Sequence, residues 1–329
     1  MQSFTCSNRQ AEKMPRVHGL HHITGIAGPA QQNHRFYTDV LGMRLVKKSV
    51  NQDDPKTYHF FFAEATGTAG TGLTFFPWAS LAPARAGTGV TSETLLAVPA
   101  GSLGYWEERL AAHGVAVGAV EERFGERVLP FVDPHGLRLA LAETSDARDG
   151  QPWLPSPVPT AHQIVGLHGA RFPAQRLAPT ASFLTDVFGL TAFGEQDGWH
   201  RFGLPRPDGE GAASGTWVDV AERPDLPAGR WGTGSIHHLA WRVADEAEEI
   251  ATQNAVRAAG LDPTPVIDRF WFRSVYFRSP GGVLFELATD GPGFAVDEHP
   301  DALGTALILP PWLEPYREAI EAGLPEVDA

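Results

Sequence analysis

The octapeptide Phe36-Tyr37-Thr38-Asp39-Val40-Leu41-Gly42-Met43 returns almost residue for residue as Phe183-Leu184-Thr185-Asp186-Val187-Phe188-Gly189-Leu190, displaced by 147 positions. A repeat of that length means one structural unit built more than once, which removes most other folds from consideration. Around the first copy, residues 18–27 alternate as a strand. Residues 31–41 have helical spacing, with Phe36, Tyr37, Val40 and Leu41 on one side, and Gly42 ends the helix. Three strands are then predicted, over 44–50, 58–63 and 72–77. The order βαβββ recurs with a strand over 94–98, a helix over 103–113 ended by Gly114, and strands over 126–132 and 137–142. A third unit begins where Val165-Gly166-Leu167-His168-Gly169-Ala170 echoes residues 17–22. A fourth opens at Ser235, with a helix over 244–259 stopped by Gly260.

The fold class that follows is α+β. Four βαβββ modules in two tandem halves curl their sheets into half-open barrels, whose concave faces can hold a metal. The predicted halves span 17–148 and 160–295, joined through the Pro-rich stretch 151–159. A tail over 296–329 is expected to dock a helix near 310–317.

The fourth module ends in a turn, Ser279-Pro280-Gly281-Gly282, placed 146 residues after its counterpart Asp133-Pro134-His135-Gly136. The strand that follows, Val283-Leu284-Phe285-Glu286, carries a carboxylate at a position its neighbours mark as buried. A lone buried carboxylate is costly unless it is paired or bound to a metal. The candidate partners are two histidine pairs at strand starts, His21-His22 and His237-His238. Strand alternation lets only one member of each pair face the cavity directly. The repeat shows where the donors survive. His168-Gly169 in module three lacks the second histidine, and Ala140 in module two stands where module four has Glu286. One site remains, formed by His22, His238 and Glu286 from modules one and four. Two imidazoles and a carboxylate suit Fe(II) with open positions, although imidazole also suits zinc, nickel and manganese. Among the 13 histidines, His34, His59, His113, His162, His200 and His299 read as ordinary surface or hydrogen-bonded residues. Phe75, Phe76, Trp78, Trp231, Phe270 and Trp271 are candidates for an aromatic pocket, against the commoner role of such residues in a core.

Composition narrows the partners. With 26 basic and 39 acidic residues the chain carries a net charge of −13, a poor match to a nucleic-acid backbone or an anionic membrane surface. No apolar run reaches the length of a membrane span, and the first ten residues hold no apolar leader, so a soluble cytoplasmic protein is expected. Cys6 is the only cysteine, which excludes an internal disulfide and a thiolate metal cage.

The motifs Leu20-His21-His22-Ile23-Thr24, Val46-Lys47-Lys48-Ser49-Val50, Gly67-Thr68-Ala69-Gly70-Thr71, Phe75-Phe76-Pro77, Ile236-His237-His238 and Pro280-Gly281-Gly282-Val283-Leu284-Phe285-Glu286 together resemble the vicinal-oxygen-chelate superfamily. That superfamily comprises glyoxalases, bleomycin-resistance proteins and extradiol dioxygenases. The nearest resemblance is to ring-cleaving dioxygenases of hydroquinones, such as 2,6-dichlorohydroquinone dioxygenase, and it runs from about Val17 to about Arg317. It implies Fe(II), with Mn(II) as the alternative, held by His22, His238 and Glu286. It implies a small aromatic substrate and O2, and is compatible with a homo-oligomer. Family positions next to the metal fall on His21, Arg269 and Tyr276. There, an imidazole for proton transfer, a guanidinium for an anionic oxygen and a phenol for hydrogen bonding are expected. Two other classes share the scaffold. A glyoxalase-like isomerase or lyase usually needs a fourth protein ligand, for which module two offers only Ala140. A drug-binding resistance protein needs no triad and is usually a short dimer.

Overall fold

The computed structural model describes residues 16–146, 150–209 and 211–328; Cys6 lies outside them. Sixteen strands are present among the described residues, four per module. Module one has β1 (Leu20–Ala27), β2 (Arg44–Asn51), β3 (Asp54–Ala63) and β4 (Gly72–Pro77). Module two has β5 (Glu93–Pro99), β6 (Glu121–Arg123), β7 (Glu126–Val132) and β8 (Arg138–Thr144). Module three has β9 (Gly166–Ala174), β10 (Thr191–Gln196), β11 (Trp199–Gly203) and β12 (Trp217–Glu222). Module four has β13 (Ser235–Val243), β14 (Ile267–Asp268), β15 (Arg273–Arg278) and β16 (Leu284–Thr289).

The tandem halves are halves of the sequence, and each sheet takes one module from each. One eight-stranded sheet runs β14-β15-β16-β13-β1-β4-β3-β2, joining modules four and one. The other runs β10-β11-β12-β9-β5-β8-β7-β6, joining modules three and two. The seams are the antiparallel pairs β1–β13 and β5–β9. This pairing brings the two ends of the chain into one half-barrel, and with them the two histidine pairs and Glu286.

The alternation within β3 shows how the sheet divides its faces. Phe60 and Phe62 enter the main core, while Phe61 joins a separate concave cluster with Val46, Trp271 and Phe272. Each fully buried aromatic of this kind contributes roughly 1.5–3 kcal/mol through burial. The repeated octapeptide has a local reason. In both copies the helix widens by one residue, with the Leu41 amide donating to the Phe36 carbonyl at 3.0 Å and the Phe188 amide to the Phe183 carbonyl at 3.3 Å. The threonine bonds back to the carbonyl four residues earlier in each case, at 2.9 Å for Thr38 and 3.0 Å for Thr185.

The Pro-Gly-Gly turn before β16 is closed by the Gly282 amide on the Ser279 carbonyl at 2.8 Å. Gly282 has φ +88°, and a Cβ there would stand 3.0 Å from the Cα of Gly89. Both facts require glycine. Gly282→Ala is expected to lower unfolding free energy by about 1–3 kcal/mol, because a left-handed residue and a backbone contact are strained together; urea denaturation checks this.

The tail departs from expectation. Residues 310–313 form a turn, because two prolines in succession supply no amide donors, and helical turns begin only at Glu314–Tyr316 and continue as Arg317–Gly323. Ile320 of that last segment packs on Val50 and Leu309. No described helix is long and apolar enough to cross a membrane.

Candidate metal centre

Three strands bring the predicted donors together. The Nε2 atom of His238 lies 2.8 Å from Oε2 of Glu286, and that of His22 lies 3.4 Å from the same oxygen. The two Nε2 atoms are 3.2 Å apart. All three residues are buried, Glu286 completely. Ser274 donates to Oε1 of Glu286, while Oε2 receives no hydrogen bond of good geometry. A buried carboxylate oxygen that is bare on the side where two imidazole nitrogens converge fits a divalent cation of the kind His₂-carboxylate sites hold. Burial alone would raise the Glu286 carboxyl; the imidazoles of His22 and His238 reverse this and hold it well below the usual carboxylate range. Burial also keeps His238 below its ordinary value.

The histidine pairs do not follow strict alternation. Between β1 and β13 the register slips twice. Leu20 and His22 face Trp241 and Ala240, so His21 is an extra residue. Thr24 and Gly25 face His238 and Ile236, so His237 is extra on the other strand. Each pair therefore sits at a β-bulge, which turns neighbouring side chains toward each other. The Nδ1 atoms of His21 and His22 are 2.9 Å apart, and those of His237 and His238 are 2.8 Å apart. Only one histidine of each pair was expected toward the cavity; the bulges keep the other in contact with it.

The contacts of His21 fix a tautomer. Its Nε2 donates to the Thr289 carbonyl at 3.1 Å, since a carbonyl can only accept. Burial, reinforced by His22, pushes its pKa down to about 3, so the ring is neutral and its Nδ1 must accept. The proton in the 2.9 Å contact then belongs to His22 Nδ1, which makes Nε2, the nitrogen beside Glu286, the one His22 would offer to a metal. His237 is likewise pushed down to about 3, first by burial and then by His238.

Arg269 and Tyr276 both line the cavity in front of the triad. Tyr276 pairs with Glu286 across β15 and β16, and its ring centroid is 5.7 Å from that of His238. Burial and then the Glu286 charge raise its pKa, so the phenol keeps its proton. Arg269 donates twice to Asp53, at 2.9 and 3.3 Å, and its guanidinium carbon is 5.5 Å from the Tyr276 ring centroid.

Several expectations need correction. His59 is no ordinary histidine. It lines the cavity, donates or accepts at 3.1 Å on Thr74, and through Thr74 and Thr24 connects by contacts of 2.7 Å each to His238 Nε2. Burial holds it well below its usual value. His34 is buried also. Phe75 is core, 4.4 Å from Tyr37, because its side of β4 faces inward. Of the proposed aromatics, Phe76 and Trp271 line the cavity, together with Phe61 and Phe272, which sequence reading passed over. Trp231 stacks on His237 at 4.4 Å, Trp78 donates to Asp54 at 2.8 Å, and Phe270 turns toward Trp312. The alternation His59–Phe61 was the available signal for His59, since both point to one face.

The chain belongs to the Glyoxalase/Bleomycin resistance protein/Dioxygenase superfamily, whose family model matches residues 19–141 and 166–287. Among its relatives is MhqO of Bacillus subtilis, named as a candidate ring-cleaving dioxygenase, 40% identical and covering 93% of this chain and 95% of its own. Chlorohydroquinone/hydroquinone 1,2-dioxygenase of Sphingobium indicum is 33% identical, covering 93% of this chain and 95% of its own. A solved structure of a Bacillus subtilis protein, titled as a candidate dioxygenase, superposes with TM-score 0.89 at 38% identity, over 95% of this chain and 98% of that one. Glyoxalase I from Zea mays shares the fold, with TM-score 0.62 at 14% identity.

Proposed function

We propose that this protein is a metal-dependent ring-cleaving dioxygenase acting on a dihydroxylated aromatic of the hydroquinone or catechol type. In this reading Fe(II), with Mn(II) as the alternative, is held by His22, His238 and Glu286 in a cytoplasmic enzyme. The observation that carries the reading is the bare Oε2 of Glu286 facing two imidazole nitrogens. Relatives at 33 and 40% identity bear names of that activity. Iron held by His22, His238 and Glu286 would supply Lewis acidity and one-electron redox chemistry for the reaction with O2.

The chain's own groups do the rest. Phe61, Phe76, Trp271 and Phe272 wall the cavity and exclude water from a flat ring. Tyr276, neutral, donates a hydrogen bond to an oxygen on the ring or to one developing negative charge. Arg269, steadied by Asp53, sets a permanent positive charge at the cavity wall, where it attracts a phenolate. His59, neutral and bonded through Thr74 and Thr24, orients the His238 side of the site. His21 acts as a positioning residue that holds Nδ1 of His22 and so turns its Nε2 toward the site.

The test is oxygen consumption by protein loaded with Fe(II) under anaerobic conditions and then offered hydroquinones and catechols in air-saturated buffer. One O2 consumed per ring opened is expected for at least one of them. Absence of uptake with the whole series overturns the reading.

A further inference from the structure

Modules two and three build a second half-barrel from which the triad is gone. By strand register, Gly169, Glu93 and Ala140 occupy the positions of His22, His238 and Glu286. The vacated space is filled from within. A Cβ on Gly169 would stand 2.4 Å from the Trp217 indole. Arg201 lies 3.7 Å from the centre of that indole, forks onto Asp219 at 2.8 and 3.2 Å and reaches Glu126 at 2.6 Å. These charges are spent on one another.

A cavity of about 510 Å³ opens beside this plug, the size of a small-molecule site. Thr91, Arg123, His135, Arg138, Arg171 and Trp199 contribute to its lining. In a chain of net charge −13 it gathers four arginines, counting Arg85, against the single carboxylate of Glu93. Arg123 is consumed by Glu93 and Glu121. Arg171 is not. It is only 9% exposed, and its Nε is 3.2 Å from an Asp219 oxygen that already accepts from Arg201. That Nε has no hydrogen-bond partner, and the terminal nitrogens donate to no acceptor among the described residues. The guanidinium lies 4.2 Å from the centre of the Trp199 indole. The hydroxyl of Thr91 is also buried without a partner. Arg138 is exposed and makes no ion pair among the described residues.

A nearly buried guanidinium that shares Asp219 with Arg201 on its Nε side keeps its two terminal nitrogens as a planar fork that matches a carboxylate, and stacking on indole gives a flat apolar body somewhere to lie. We infer that this cavity binds a small planar organic carboxylate. The carboxylate bonds Arg171 and Thr91, the flat body lies along Trp199, and Arg138 adds charge at the mouth. The site is separate from the metal centre and does not depend on the reaction assigned there.

The test uses benzoate, which has no hydroxyl pair to be cleaved, titrated calorimetrically into the metal-loaded protein. Saturable binding at one site is expected. Arg171→Gln, which leaves Asp219 with Arg201, weakens it at least roughly tenfold, and the surface change Arg138→Gln roughly threefold. His238→Ala leaves the affinity unchanged. If Arg171→Gln fails to fold, Arg138→Gln and Trp199→Ala decide the matter. No saturable binding, full affinity in the variants of this cavity, or loss of binding in His238→Ala, which places the carboxylate at the metal centre, each overturns the inference.

Discussion

Glu286→Gln abolishes metal retention without unfolding the protein. The amide keeps the size of the side chain and an oxygen to accept from Ser274. It removes the negative charge that both imidazoles face at 2.8 and 3.4 Å. A divalent ion then meets two neutral nitrogens and a weak amide donor, so retention after gel filtration falls more than roughly a hundredfold, and oxygen uptake falls with it. Stability moves the other way. In the metal-free protein a wholly buried carboxylate is kept ionised only by its histidine neighbours, an arrangement that contributes little net stability. The thermal midpoint of metal-free Glu286→Gln is therefore expected to equal or exceed that of the metal-free parent. The two readouts separate a ligand from a structural residue: a variant that keeps its metal and turns over, or one whose metal-free form melts far below the parent, shows that Glu286 is no ligand.

The convergence of His22, His238 and Glu286 was legible in the sequence because the chain carries its own control. Ala140 and Gly169 stand where Glu286 and His22 stand in the other modules, so loss of the donor side chains in one pair of modules marks their retention in the other. The βαβββ order was legible for the same reason, since each module repeats the same strand alternation and the same helix stop. What alternation could not show was the pair of bulges. A bulge is a mismatch in register between strands more than 200 residues apart, and it leaves no mark in either strand alone. Strict period-two reading therefore turned His21 and His237 away from their partners, when the extra residue turns them back.

His59 illustrates a second limit. A lone histidine between tyrosine and phenylalanine reads as an incidental polar residue. Its importance comes from curvature, which folds β3 over the triad so that the His59–Phe61 face becomes a cavity wall. The same curvature sends Phe75 into the core, although its neighbour Phe76 lines the site. Local pattern assigns residues to faces; which face is concave is decided by packing between modules far apart in sequence. The pairing of Arg269 with Asp53 is of this kind also, since it joins the β2–β3 turn to the loop before β15 across the cavity mouth.

Lys47→Met is expected to cost about 3–5 kcal/mol of unfolding free energy, the second large effect. Lys47 sits on β2 with its side chain fully buried. Its ammonium donates to the Phe294 carbonyl at 3.1 Å, to Asp297 at 2.7 Å and to Glu298. It also lies 5.3 Å from the ring centre of Trp271, whose indole donates to the second oxygen of Asp297 at 2.9 Å. One cation thus fastens the segment after β16 across the concave face, where Phe294 packs 5.1 Å from Phe61. Methionine preserves the apolar stem and removes the charge. Two carboxylates, 17% and 6% exposed, then face each other without a cation between them. Removing one partner of a buried ion pair costs far more than removing all of it, because the remaining charge is stranded. Hence Lys47→Met combined with Asp297→Asn and Glu298→Gln recovers most of the loss. Urea unfolding of the single and triple variants measures both numbers. A single variant that loses less than about 1 kcal/mol would place Lys47 among surface pairs, whose contribution is of that size. A triple variant no better than the single would show that packing of the stem, and not the stranded carboxylates, carries the cost.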